Sequence, residues 1–441
     1  MGAWPLWERL SSLIYKRHAK LIAASSTKSE STLAEEKEIK SELPTKQKLL
    51  LLHGPKQDYV LTDDQAVPLA DAHHEVVVRV TTIGLNPIDW KAPAFNFGIP
   101  QLPYISGREF SGEIVNVRGK STRLKQGDRV LVPSTDYRDP RKAAFQQYAI
   151  ASDFNVIRLP THVSAEEGAT LGVAYVAASL ALGVCLGVDF SRVFKGPDLL
   201  RVLRRIPEDA LPTDVRVECH SGIPEDERAK PGDWIAIWGG SSSTAIIITQ
   251  LAQLAGLRVI SIVDQAKHGH RLSPGTFPTS VCAPDIVIDS HDPARVQHLL
   301  QKVTHGNLRF GIDSRGKDTA TLLLQSLVAP TNPDLNAPTS TTTPSPKKRA
   351  HLVGLTGLPK LDSIAELSDS DATNVSLHSV PIKIFHDVPE VGLVLSVWLE
   401  QLLQNGKLKA PQAVGTEDGF EGVNRGLKTM REGGGRVVVR I

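Results

Sequence analysis

Two stretches of this sequence place reactive or ligand-binding residue types at telling spacing. The first is Pro231 to Asp264, PGDWIAIWGGSSSTAIIITQLAQLAGLRVISIVD. Gly239, Gly240, Ser241, Ser242, Ser243, Thr244 and Ala245 lie between an apolar run, Trp234 to Trp238, and a segment with Ile247, Ile248, Leu251, Leu254 and Ala255 at helical spacing. A glycine turn that opens a helix leaves backbone N–H groups without intrahelical partners, and together with the helix dipole these favour a pyrophosphate. Against the fingerprint G-x-G-x-x-G/A, Gly239 takes the first position, Ser242 stands where the middle glycine would be, and Ala245 takes the last in a turn one residue longer. Asp264 follows at the end of the next apolar run, where a carboxylate can accept from ribose hydroxyls. A glycine-containing turn that binds nothing is the alternative.

The elements that must position these residues are legible in outline. Strand, glycine turn, helix and strand make a βαβ unit. Further strands are expected at Ile286 to Asp289, Arg309 to Asp313, His351 to Thr356 and Ser376 to Ile384, giving the six of a doubly wound parallel sheet. A helix is expected from Val391 to Leu403, then a helix and a last strand within Gly419 to Ile441. From Lys48 onward, short alternating strands separated by Gly and Pro predict a small antiparallel barrel. Residues 189–230 are charged and proline-rich, and residues 330–348, PTNPDLNAPTSTTTPSPKK, have the composition of a flexible loop. Residues 1–46 are a disordered extension or, being basic and Ser-rich, a targeting segment.

Composition excludes several classes. With 441 residues, two domains are the default, and a net charge of +2 gives no basic field for nucleic acid. No apolar run reaches the roughly 20 residues of a membrane span. Cys185, Cys219 and Cys282 are too few and too scattered for a disulfide framework, which points to a reducing compartment. A cytoplasmic location is expected, with a mitochondrial one through residues 1–30 left open.

Several motifs then converge: NPIDWK at 86–91, LPYISGREFSG at 102–112, KQGDRV at 125–130, AFQQYAIA at 144–151, the GDWIAIWGGSSSTA turn and the closing GFEGVNRGLKTMREGGGRVVVRI. Together they resemble the medium-chain dehydrogenase/reductases, and within them the zinc-independent enoyl reductases and quinone oxidoreductases, including fungal trans-acting enoyl reductases. The resemblance implies an α/β chain with a GroES-like catalytic domain at 47–162, a Rossmann domain at 163–390 interrupted at 189–230 and 330–348, and a return to the first domain at 391–441. Metal-using relatives carry a Cys and a Gly-His-Glu; here Asn86-Pro87 and Gly107-Arg108-Glu109 fall at those places, so no metal site is expected.

The implied activity is NAD(P)H-dependent reduction of an α,β-unsaturated carbonyl, an enoyl thioester or a quinone. Hydrogen-bond donors then take over from the metal: Lys91 first, on the segment that faces the nicotinamide in relatives, with Tyr137 and Tyr175 behind it. Lys91 as a surface lysine and Tyr175 as a packed core residue are the alternatives. Arg108 is expected to pair with Glu109 or Asp89, with orienting the substrate as the alternative. Lys267 and Arg271 after Asp264 favour NADPH, with NADH the alternative. The partner is a small-molecule substrate, possibly carrier-bound, in a monomer or homodimer. An inert NADPH-binding scaffold or redox sensor of the same fold is the second functional class.

Overall fold

In this computed structural model the described residues are 43–118, 123–273, 283–328, 349–359, 374–433 and 435–441. The extension at 1–46, apart from its last four residues, and the loop at 330–348 lie outside them, as does Cys282.

The first half runs β1 (Lys46–Leu51), β2 (Val60–Ala66), β3 (Glu75–Gly84), α1 (Pro87–Phe95), β4 (Glu109–Val117), β5 (Arg129–Pro133), β6 (Tyr148–Ser152) and β7 (Ile157–Arg158). Antiparallel β1 and β2 form a ribbon, and the larger sheet has the order β14-β15-β3-β4-β5-β7, with β6 also on β3. Its strands alternate or read continuously apolar, as in β3, whose Val76, Val77, Val78, Val80 and Ile83 are buried. Val76, Val78, Val80 and Ile83 form a separate core with Phe110, Ile114, Phe145 and Val439.

Short helices α2 (Ala165–Ala169) and α3 (Gly172–Leu180) lead out of this sheet. A capping box at Ser164 and Glu167 starts α2, each side chain bonding the other's backbone N–H. Within 189–230 lie α4 (Leu199–Leu203) and α5 (Arg216–Ser221), followed by β8 (Trp234–Trp238), α6 (Ser243–Leu254), β9 (Arg258–Val263), α7 (Gln265–Leu272), β10 (Ile286–Asp289), α8 (Pro293–Thr304), β11 (Phe310–Asp313), α9 (Lys317–Val328), β12 (Ala350–Gly354) and β13 (Val375–Ser379). The six strands are parallel in the order β10-β9-β8-β11-β12-β13, the doubly wound arrangement that the apolar runs implied. Apolar layers cover both faces of the sheet.

β13 ends at Ser379, short of the Ile384 expected from the sequence. Pro381 lacks a donor for the ladder, and the chain turns into α10 (Ile384–Asp387) and α11 (Pro389–Gln404) instead. Residues 189–230 are not a loose loop: Leu199, Leu200, Leu203, Leu211 and Cys219 join the core on one face of the parallel sheet. Arg228 fastens the segment, donating from Nε to the Gly187 carbonyl at 2.6 Å and from Nη2 to Asp198 at 2.9 Å. After β14 (Gly415–Asp418) and α12 (Glu421–Arg431), β15 (Val437–Arg440) pairs antiparallel with β3 and parallel with β14. No helix of the described residues is long and apolar enough to cross a membrane.

Candidate functional site

β8 carries its chain straight into the glycine turn. Gly239 has φ +80°, which favours glycine, and a Cβ there would lie 2.7 Å from Arg315 Cγ. A Cβ on Gly240 would collide with Ser261 of β9. Both glycine amides donate to the Ile262 carbonyl, at 2.9 and 3.2 Å, so the turn is stitched to the neighbouring strand. Ser242 caps α6, its Oγ accepting from Ala245 N at 3.2 Å and donating to Ser314 Oγ at 3.0 Å. Ser314 in turn donates to the Gly239 carbonyl at 2.9 Å.

These bonds leave the amides of Ser241, Ser243 and Thr244 without an acceptor among the described residues, on half-exposed positions at the start of a 12-residue helix. Ala245 differs from the half-exposed Ser241 to Thr244, being fully buried, with its amide occupied by the cap. Its role is close packing of helix on strand.

Asp264 caps α7: Oδ1 accepts from Lys267 N at 3.1 Å, while Oδ2 lies 3.4 Å from Lys267 Nζ and 3.7 Å from His291 Nε2. Although desolvation works against it, the Lys267 backbone bond and ammonium hold its carboxyl below the usual range. The Lys267 side chain is 75% exposed and Arg271 is also exposed. Burial, then Arg271, pulls the half-buried His268 imidazole down, with Lys267 and Arg315 adding to it. Two cations of α7, Lys267 and Arg271, and Arg315 from the loop after β11 thus lie near His268. Lys267 and Arg271 were foreseen; Arg315 was not, because it lies 44 positions beyond Arg271 in the sequence and comes to the turn only through the pairing of β11 with β8.

The second group of residues gathers where α1 meets β4. An Asn86–Asp89 capping box starts α1, with Asp89 Oδ2 accepting from Asn86 N at 2.8 Å. Burial pushes the Asp89 carboxyl up to about 6, against the pull of Arg108 and the Asn86 amide. Lys91, two residues on, is half-buried, with Nζ 5.7 Å from the Trp90 ring centroid. Tyr137 is 39% exposed, with its ring 5.1 Å from the Arg108 guanidinium. No hydrogen bond joins Lys91 to Tyr137.

Two expectations change here. Tyr175 is fully buried and donates from its hydroxyl to the Leu395 carbonyl at 2.9 Å, so it is a core residue and not a donor to substrate. Arg108 pairs with neither Glu109 nor Asp89: its Nη2 donates to the Tyr104 hydroxyl at 3.0 Å, and Nη1 has no partner. Glu109 instead forms a buried ion pair with Arg436, from the segment before β15, and accepts from Asn86 Nδ2 at 2.9 Å and Val173 N at 2.9 Å. Arg436 donates to Asn86 Oδ1 at 2.9 Å, closing the ring. The sequence hid Arg436 among the exposed-looking residues of its last stretch.

The donor set at this place is an amide, a guanidinium and a carboxylate already held by Arg436, which is not a zinc ligand set. Among the described residues, the group of His, Cys, Asp and Glu compact enough for a cation is Asp264, Asp289 and His291 at the ends of β9 and β10, where Asp264 and Asp289 each accept a backbone amide.

Residues 72–161 match the alcohol dehydrogenase GroES-like domain family. A trans-enoyl reductase of Trichoderma harzianum is 28% identical over 293 residues, 65% of this chain and 68% of that protein. A quinone oxidoreductase of Lama guanicoe is 34% identical over 123 residues, 28% of this chain and 36% of its own length. Among solved structures, a putative NADPH:quinone reductase from Bacillus thuringiensis superposes with a TM-score of 0.63 at 18% identity, covering 90% of this chain and 99% of that one. The GroES-like match, these relatives and the paired sheets make the chain a relative of the medium-chain dehydrogenase/reductases, on the side where enoyl reductases and quinone oxidoreductases stand.

Proposed function

We propose that this chain is an NADPH-dependent reductase that works without zinc on a carbon–carbon double bond conjugated to a carbonyl, as in an enone, an enoyl thioester or a quinone. The observation that carries the reading is the turn at Gly239 to Thr244, where the amides of Ser241, Ser243 and Thr244 stay unpaired at a helix N-terminus while Lys267, Arg271 and Arg315 gather beside it. The names of the Trichoderma, Lama and Bacillus relatives support the substrate class and the cofactor.

In this reading, residues 47–162 with 391–441 form the catalytic domain and 163–390 the cofactor domain. The amides of Ser241, Ser243 and Thr244 hold the pyrophosphate. Lys267, Arg271 and Arg315 face the 2′-phosphate, and Asp264, with one oxygen committed to its own helix, does not repel it. A bound nicotinamide supplies hydride to the substrate β-carbon. As the double-bond electrons move onto the carbonyl oxygen, the Lys91 ammonium donates a hydrogen bond to it, with the Tyr137 hydroxyl as second donor. A proton then adds at the α-carbon. No metal is required, because Asn86 and Arg108 stand where metal-using relatives carry ligands.

The withdrawal of Tyr175 into the core keeps a second reading in play, a cofactor-binding sensor whose donors are too few for turnover. Dissociation constants for NADPH and NADH, followed by NADPH oxidation with enones, enoyl thioesters and quinones, separate the two. Turnover of any of them supports the reductase; tight NADPH binding with none supports the sensor. Stoichiometric zinc, with activity lost on chelation, would sink the metal-free chemistry.

A further inference from the structure

Residues 189–230 have no part in the proposed reaction, yet they cover a row of buried titratable groups. His351 of β12 and His378 of β13 are 0% and 1% exposed, with ring centroids 5.2 Å apart and His351 Nδ1 3.0 Å from His378 Nε2. The covering segment brings a carboxylate to each end: Glu218 of α5 lies 2.8 Å from His378 Nδ1, and Glu227 lies 3.2 Å from His351 Nε2. The row is therefore Glu227, His351, His378, Glu218, with a junction between each neighbouring pair.

Each neutral imidazole carries a single N–H, and an ionised carboxylate only accepts. Two protons therefore serve at most two of the three junctions. If His378 donates from Nδ1 to Glu218, its Nε2 accepts from His351 Nδ1, and His351 Nε2 meets Glu227 with a bare lone pair. The geometry fits this count, because His351 Nε2 and Glu227 Oε2 approach without forming a hydrogen bond. A third proton would close the junction, but it would put a cation in the core beside Arg309 and Arg349. At the far end Glu218 faces the buried thiols of Cys185 and Cys219. Burial, then His378 and the two arginines, pulls the His351 imidazole down to about 3.

We propose that the row Glu227, His351, His378, Glu218 is an acid-operated latch, which fastens residues 189–230 to β12 and β13 while His351 is neutral and releases them when His351 takes up a proton. The closed form holds His351 neutral, whereas the open form lets it titrate near its ordinary value of about 6.5. The fastening is thus complete above that pH and weakens as pH falls below it. For His351 alone, the open population should rise about tenfold between pH 7.5 and 5.5.

Hydrogen exchange on the full-length protein, corrected for the pH dependence of intrinsic exchange, reads this directly. Amides of 211–228 should lose about tenfold in protection between those pH values, while those of α8 keep theirs. In His351→Gln the pH dependence should flatten. Should that variant fail to fold, nitrogen chemical shifts of selectively labelled histidines in the unaltered protein decide: a neutral His351 ring at pH 6 supports the latch. A protonated His351 ring at pH 6, protection in 211–228 that ignores pH, or an undiminished pH response in His351→Gln would overturn it.

Discussion

The two polar centres of this molecule use their donors in opposite ways. Around Glu109 the buried charge is turned on other protein groups: Arg436, Asn86 and the Val173 amide take the carboxylate, and Arg436 also takes Asn86. At the glycine turn three amides are left without an acceptor among the described residues, and Lys267, Arg271 and Arg315 are exposed beside it, with Asp264 offsetting Lys267 alone. Buried charge without full pairing is costly, whereas exposed donors lose little by waiting for a ligand. The first centre therefore ties α1, β4, α3 and the segment before β15 together, and the second is suited to recognition. What the contrast teaches is that exposed unpaired donors, more than charged groups, mark a binding site.

Substitutions can break the contrast. Arg436→Met leaves Glu109 buried without its cation and should destabilise the protein by about 3–5 kcal/mol in urea unfolding. The same change in a Glu109→Gln background should cost less, with a coupling above roughly 1 kcal/mol. Equal costs in both backgrounds would show that the two side chains act independently.

Asp89 offers a sharper version. Its carboxyl, buried and raised from 3.8 to about 6, binds its proton more tightly folded than unfolded. Stability from this group is therefore present below about pH 4 and lost as pH rises through 6, to roughly 3 kcal/mol at neutral pH. Asp89→Asn should accordingly stabilise the protein more at pH 8 than at pH 4. A benefit that does not change with pH would contradict the raised value.

The recognition side should respond to substitution in binding and not in folding. Arg315→Ala and Lys267→Ala should each weaken NADPH by roughly 1.5–3 kcal/mol while leaving NADH and the melting temperature nearly unchanged. Should NADH suffer equally, these cations would be serving the pyrophosphate instead. The smallest expected effect is at Tyr175. Tyr175→Phe should cost about 1 kcal/mol of stability, by loss of the bond to Leu395, and should leave kcat unaltered.

Legibility in the sequence followed the range of the interactions. The βα turn and the six parallel strands are written in local apolar runs and punctuation, so Gly239, Ser242 and the strand at Ile286–Asp289 stand where they were expected. Asp264 kept its position at the strand end, and its side-chain direction followed from helix capping. What local pattern does not encode is which distant residues meet. Arg436 reaches Glu109 across more than 300 residues, and Arg315 reaches the turn by strand order. The core placement of Tyr175 depended on α11 arriving over α3, since its hydroxyl meets Leu395 and its ring meets Trp398. In residues 189–230 charge and proline hide all but an apolar patch at Leu199 to Ile206, yet Leu211 and Cys219 also reach the shared core and order the segment.

The pairing of β15 with β3 has a consequence for the birth of the chain. Val438 lies opposite Gly84, so the sheet made almost entirely from the early part of the sequence stays open along one side until residues beyond 437 are synthesised. At about 5–20 residues per second, the roughly 350 residues between those strands take on the order of 20–70 s to translate. For that interval Thr82 to Gly84 of β3 lack their partner strand, and Glu109 lies in a half-built interior without its cation. The parallel sheet, whose strands all fall within Trp234–Ser379, can complete first. Assembly on the ribosome then runs against the order of the sequence, with the later-encoded sheet closing before the earlier one.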